Sequence, residues 1–397
     1  MTCRLLSRRA TCSVLCMVVL LCQRYTPTLA QTISAHHDAS PQEVATFAFD
    51  RHLDVIFLPV TTLGVTRQFV FDTGSSHHIF DNRFTSRLGR PIRTDRADTA
   101  AAAPIAVNLF KAPKMLVGDL AVVSNGQPVV AIDFTRMSEV MGREVYGVLG
   151  ASFLRERIVS LDFDHGIVRV FASVDTTPDS WGTPIPLHVD SYGQPHIPMV
   201  AIGTDKRSFL LDTGMNGSVT LASSEFQRLM KKGMIDSLRS TYAMTVGGEE
   251  RRLSGRLKTI RIGPFEHRSV IVHESSENKI GLQYLSRFRA TLDIPRKRLY
   301  LAPGLSFGKT NTVNTSGLYL AWRGNRVVAD SISKNSPAQR AGIIKGDLLL
   351  EINGIPATGT NLHRLRSSLR GKEGTEIRVT LLRLRRQHVV RLHLQRR

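Results

Sequence analysis

The chain has 397 residues, enough for two or three domains, and an apolar content of 42% supports packed cores and excludes long disorder. The net charge is +20, and residues 303–397 hold 17 Lys/Arg against 5 Asp/Glu, so much of the excess is local to the C-terminal region. No nucleic-acid-binding motif accompanies it. The charge reads as a solvated basic face, with contact to an anionic membrane surface as its functional counterpart, and nucleic acid is not expected as a partner.

In chain order, Arg4, Arg8 and Arg9 precede an apolar run from Ala10 to Cys22, and Thr28-Leu29-Ala30 places small residues before Gln31. This pattern predicts a secretory signal over residues 1–30, with a retained anchor as the alternative, although the run is short for a membrane span. All four cysteines, Cys3, Cys12, Cys16 and Cys22, lie in this segment. The rest of the chain therefore has no disulfide, thiolate nucleophile or cysteine metal site. A secreted chain without disulfides is expected in a bacterial periplasm.

Residues 45–174 alternate short apolar runs with turn residues, the pattern of a β-rich domain. Phe69-Val70-Phe71 leads into Asp72-Thr73-Gly74, a buried strand delivering a carboxylate to a tight turn. Residues 92–117 are expected to form a cover, or flap, with the run Ala100 to Ala103 better read as surface loop. Val148-Leu149-Gly150 follows, then a hairpin from Leu161 to Val170 turning at Asp164-His165-Gly166. A polar, proline-bearing bridge spans Asp175 to Pro186. Over residues 187–302 the landmarks recur in the same order: Phe209-Leu210-Leu211, Asp212-Thr213-Gly214, Lys279-Ile280-Gly281 and Leu292-Asp293-Ile294. A short helix is expected over Glu225 to Lys232, capped by serine and ended by Gly233. Thr245-Val246-Gly247-Gly248 is a second candidate hairpin tip. A repeat of this length means duplicated lobes rather than a solenoid.

Two carboxylates brought face to face share one proton, because like charges at contact distance cannot both ionise. One can then activate water while the other protonates a leaving group, chemistry that needs no metal and no cofactor. Gly74 and Gly214 permit close approach of the two turns. Ser75 is placed to donate to Asp72 and lower its pKa, whereas Met215 at the matching position has no donor, with Asn216 as a substitute. Asp212 is therefore expected to carry the shared proton more often. A single Asp-Thr-Gly is ordinarily a capped turn; the matched repeat favours the dyad. His77 and His78 are neighbours that point to opposite faces and do not chelate one ion. Neither a Gly-x-Ser-x-Gly elbow nor a Walker loop is present.

On both triplets and the segments Val148-Leu149-Gly150 and Ile280-Gly281, the chain resembles the aspartic proteases of the retropepsin and pepsin group over residues 45–302. The resemblance implies a mostly β fold with two pseudo-symmetric lobes, 45–174 and 187–302, acting on protein or peptide substrates. It implies catalytic roles for Asp72 and Asp212, and catalytic-turn support from Thr73, Gly74, Ser75, Thr213 and Gly214, the threonines cross-bonding the lobes. Two departures stand out: Lys279 takes a position expected to be apolar, and Met215 replaces the serine of copy one. A non-catalytic peptide-binding module is the alternative reading.

Pro303 to Thr315 is rich in Gly, Ser, Thr and Asn and reads as a linker. Beyond it, Ser336-Pro337-Ala338, Ala341-Gly342-Ile343-Ile344-Lys345-Gly346-Asp347 and the turn Asn353-Gly354 resemble a bacterial-type PDZ domain, a small α/β unit over residues 314–395. The resemblance implies recruitment or regulation through peptide C-termini bound as an added strand. Gly317, Leu318, Tyr319 and Leu320 would offer amides to the terminal carboxylate. Leu362, Leu365 and Leu369 would line the groove or, equally, pack the core.

Overall fold

Strand Val65–Phe71 hydrogen-bonds in parallel to strand Gly147–Leu149, pairing Val70 with Val148 and Phe71 with Leu149. Strand Asp205–Asp212 does the same with Lys279–Gly281, pairing Leu210 with Lys279 and Asp212 with Gly281. These relations belong to a computed structural model that describes residues 41–51, 55–97, 105–124, 126–172, 177–245 and 248–395. The signal-like segment with its four cysteines, Ala100 to Ala103, and Val246-Gly247 lie outside the described residues.

Each glycine-bearing strand is wedged between the Asp-Thr-Gly strand and a second short strand, Ile79–Asp81 in lobe one and Val219–Ala222 in lobe two. A further strand then pairs in parallel on the far side, Val129–Ile132 or Phe265–Ser275. The shared order within a nine-stranded and an eight-stranded sheet is the architectural form of the sequence repeat. The buried runs Phe69-Val70-Phe71 and Phe209-Leu210-Leu211 sit at the centre of these sheets, which fixes where both turns emerge.

A six-stranded sheet takes strands from both halves of the repeat and ties the lobes together. Ile158–Asp162 pairs antiparallel with Phe288–Asp293, and Ser160 faces Thr291 at the centre of the register. Their hydroxyls are 3.0 Å apart. These positions are equivalent in the two copies, so the pseudo-twofold axis passes between them.

Several local expectations need adjusting. The helix of lobe two runs Ser223–Lys231 and no serine side chain caps it, because the Ser223 hydroxyl donates to Ser275 O instead. Part of the bridge, Thr183–Pro186, is an edge strand of the six-stranded sheet. The linker is laid down on lobe two rather than loose: Phe307 packs edge-on against Phe265, His267 and Phe288, and its carbonyl accepts from Arg287 and His267. The hairpin turning at Gly166 forms as expected, with φ of +69° there.

Lobe one carries a helix, Thr135–Met141, between strands Val129–Ile132 and Gly147–Leu149; no helix occupies the matching place in lobe two. The C-terminal sheet, with strands Leu318–Arg323, Arg326–Ile332, Leu348–Ile352, Glu376–Arg383 and Arg386–His393, docks on this inserted helix. Arg136 and Glu139 of the helix and Arg323 and Asp330 of the sheet close a ring of four ion pairs, at 2.8, 3.0, 2.7 and 2.5 Å. Arg366 adds hydrogen bonds to Val140 O and Leu320 O at 2.5 and 2.8 Å. Leu362, Leu365 and Leu369 are fully buried in the core of this unit, so packing claims them rather than a groove.

Candidate active site

The two Asp-Thr-Gly turns meet and line one cavity of about 1340 Å³. Reciprocal hydrogen bonds hold them there. The Thr73 amide donates to Thr213 Oγ1 at 3.0 Å and the Thr213 amide to Thr73 Oγ1 at 3.1 Å. The Thr213 hydroxyl donates to Phe71 O at 2.8 Å, and the Thr73 hydroxyl to Leu211 O. Both threonines are completely buried, so each satisfied hydroxyl avoids the penalty of a buried unpaired polar group. The expected cross-bonding is present in full.

The glycines then let the carboxylates close in. A Cβ built at Gly74 falls 2.5 Å from Asp212 Cγ, and one at Gly214 falls closer still to Asp72 Cγ. Any side chain at either position displaces the opposite carboxylate. The Gly74 amide donates to Asp72 Oδ1 at 2.8 Å and the Met215 amide to Asp212 Oδ1 at 3.0 Å. Gly150 and Gly281 pass so near the turn backbones that their own Cβ atoms would collide with carbonyl oxygens of His77 and Gly217.

Ser75 does not donate to Asp72, contrary to the sequence expectation. Its hydroxyl donates to His77 O at 2.8 Å. The reason given for placing the shared proton on Asp212 goes with it. Lys279 reaches the dyad and sets its ammonium 3.2 Å from Asp212 Oδ2, with Glu277 at 3.3 Å on its other side. The Asp72 carboxyl is pushed up to about 8, chiefly by burial and then by the charge of Asp212, against the pull of Lys279 and the Gly74 amide. Burial opposes the Lys279 charge, but Asp212, Glu277 and Asp72 outweigh it and hold the ammonium above the usual lysine range. These influences favour the protonated form of Asp72, while the Lys279 ammonium faces the Asp212 carboxyl.

His77 and His78 do point apart. His78 is buried, accepts from the Gly150 amide at 3.0 Å and pairs with the Ser152 hydroxyl at 2.7 Å. Burial lowers its pKa to about 4, so the neutral ring props the glycine segment. His77 lines the cavity. Gln194 was not singled out by sequence; its Nε2 donates to Gly74 O at 2.5 Å and braces the first turn. A glutamine after a glycine carries no sequence signal for that role.

Two hairpins face the cavity. Strands Arg93–Ala97 and Ile105–Phe110 pair within the segment expected to be the flap, and Ile105 and Val107 line the cavity. Strands Ile235–Thr245 and Gly248–Ile262 form the second, contributing Arg239, Arg251 and Arg252.

Leu318, Tyr319 and Leu320 line the same cavity, with His363, Arg366 and Ser367 of the helix Leu362–Ser368. The amides expected to meet a terminal carboxylate are partly engaged: that of Gly317 donates to Asn314 Oδ1 and that of Leu318 to Ser316 Oγ. The Asn314-Thr315-Ser316 turn supplies its own acceptors, so these two amides are satisfied without a ligand.

Comparison with known proteins agrees with this geometry. The family model described as "Aspartyl protease" matches residues 58–153, and the model described as "PDZ domain" matches residues 328–383. A stretch of 65 residues is 34% identical to a probable CtpA-like serine protease of Staphylococcus saprophyticus. It covers 16% of this chain and 13% of that protein. The chain joins an aspartyl-protease-like domain to a PDZ domain in a mostly β fold.

Proposed function

We propose that the protein is an aspartic endopeptidase. The observation that carries this reading is the pair of carboxylates, Asp72 and Asp212, set side by side on cross-bonded turns in one cavity. Asp212 takes a proton from a bound water as its oxygen attacks the scissile carbonyl carbon. Asp72 gives its proton to the carbonyl oxygen, forming a tetrahedral diol. In collapse, Asp212 delivers its proton to the leaving nitrogen, Asp72 recovers one from a diol hydroxyl, and the C–N bond breaks. No metal or covalent intermediate enters.

Peptide-library cleavage by the purified chain across acidic to neutral pH tests this, beside Asp72→Asn and Asp212→Asn. Each substitution should lower kcat/KM by about 10²–10⁴-fold. A folded wild type that cleaves nothing, or variants as active as wild type, would refute the reading.

The PDZ domain is proposed to recruit substrate. Support comes from its strand Leu318–Arg323 and helix Leu362–Ser368, whose residues line the cavity that also contains the dyad. Export to the periplasm is proposed from the charged, apolar and small-residue order of residues 1–30, and cell fractionation should recover the protein with periplasmic markers. Membrane-surface contact rests on Leu384, 92% exposed at a hairpin tip between Arg383 and Arg385. Co-sedimentation with anionic vesicles that is unaffected by Leu384→Asp would discount it.

A further inference from the structure

Lys279 stands where lobe one has Val148. Both sit on the glycine-bearing strand, and both pair in parallel with the matching residue of the Asp-Thr-Gly strand, Val70 or Leu210. The pseudo-twofold that makes the two aspartates equivalent is therefore broken at this position by a full charge. The Lys279 side chain is only 13% exposed, and its nitrogen lies 3.2 Å from Asp212 Oδ2. A cation withdrawn this far from water is retained only where anions compensate it, and Asp212 and Glu277 do so from two sides.

We propose that Lys279 is a positioning residue that assigns unequal roles to the two aspartates, holding Asp212 as the base and leaving Asp72 as the acid, and that it sets the pH range in which the pair keeps a single proton. The inference rests on the aspartic-protease reading for its kinetic consequence, but its electrostatic content is separate. An adjacent cation stabilises every anionic state of the pair, so it lowers both proton affinities. The charged and titratable groups lining the cavity are Asp72, Asp212, Glu277 and Lys279 itself, His77 beside the first turn, His273 beside Gly217 after the second, Arg239, Arg251 and Arg252 of the second hairpin, and Arg51, Arg136, Asp330, Lys334, His363, Arg366 and Arg370. His273 is held neutral, its pKa brought down to about 3 by burial and by Arg252 and Arg239, so it does not titrate in the working range.

The test compares wild type, Lys279→Met, Lys279→Gln and Lys279→Arg, each checked for native near-ultraviolet circular dichroism. Two readouts are used: the pH profile of kcat/KM on a fluorogenic peptide, and the titration of ¹³C-labelled aspartate carboxyls by NMR. Loss of the charge should move both limbs of the profile, and the dyad resonances, to higher pH by about 1–3 units. Lys279→Arg should keep them near wild type. A wild type that cleaves, with superimposable profiles in the Met and Gln variants, overturns the role of Lys279 and leaves the protease reading intact. A wild type that cleaves nothing removes that reading, and the NMR arm then decides: shifted dyad titrations support the charge assignment and unshifted ones reject it.

Discussion

Asp72 and Lys279 shape the behaviour of this site more than any feature further away. Asp72 binds its proton far more tightly folded than unfolded, with its pKa moving from 3.8 to about 8. Its contribution to stability is present in full below the unfolded value and is lost as pH rises through the folded one. That contribution should therefore disappear between about pH 4 and pH 8, and Asp72→Asn should remove it, read as the difference from wild type in urea titrations at a series of pH values. His78 works in the opposite sense. Its pKa is depressed to about 4 by burial, so its contribution is lost as pH drops below the usual histidine range. If Asp72→Asn leaves the pH dependence unchanged, the proton does not reside on Asp72. Asp72 and Asp212 could be named from sequence because a repeated triplet is a local signal. The partner of Ser75 and the reach of Lys279 could not, since both depend on rotamers and on strands distant in the chain.

Among the elements, the inserted helix Thr135–Met141 does what no repeat analysis foresees. It interrupts lobe one alone, and its outer face carries Arg136 and Glu139 into the four-charge ring with Arg323 and Asp330. Isolated exposed pairs contribute little, but a closed and partly buried network couples its members. Glu139→Lys and Arg323→Glu should each loosen the docked unit, seen as faster proteolysis between residues 303 and 318. The double exchange restores the attraction between positions 139 and 323 but sets each against a like charge, at Arg136 and Asp330, so its loss should fall well short of the sum of the two singles, and a strictly additive double variant would show that the ring does not hold the interface. The strands and hairpins were readable from alternation and from turn residues such as Gly166 and Asn353-Gly354. The helix was not, because seven residues offer too short a period to stand out.

For the whole molecule, the segment joining the two lobes to the PDZ domain is part of the second lobe's core. Phe307 covers Phe265 and Phe288, and its carbonyl and Asn311 Oδ1 accept from the two terminal nitrogens of Arg287, which is 4% exposed. A chain ending at Pro303 should unfold several degrees below one ending at Val313, because it exposes that aromatic cluster and strips a buried guanidinium of its acceptors. Equal melting temperatures would refute this packing role. The longer truncation is accordingly the right one for testing the PDZ domain. Slower cleavage of long substrates alone would support recruitment, and unchanged cleavage of all substrates would exclude it.

Sequence by itself determined the duplicated architecture, the position of both aspartates and the presence of a separate C-terminal module, because each is written in short stretches whose chemistry is local. Tertiary structure decided that Lys279 reaches Asp212, which leucines are core, and how the linker and the C-terminal unit dock. These outcomes depend on distances between residues far apart in the chain, where burial and one neighbouring charge outweigh local propensity.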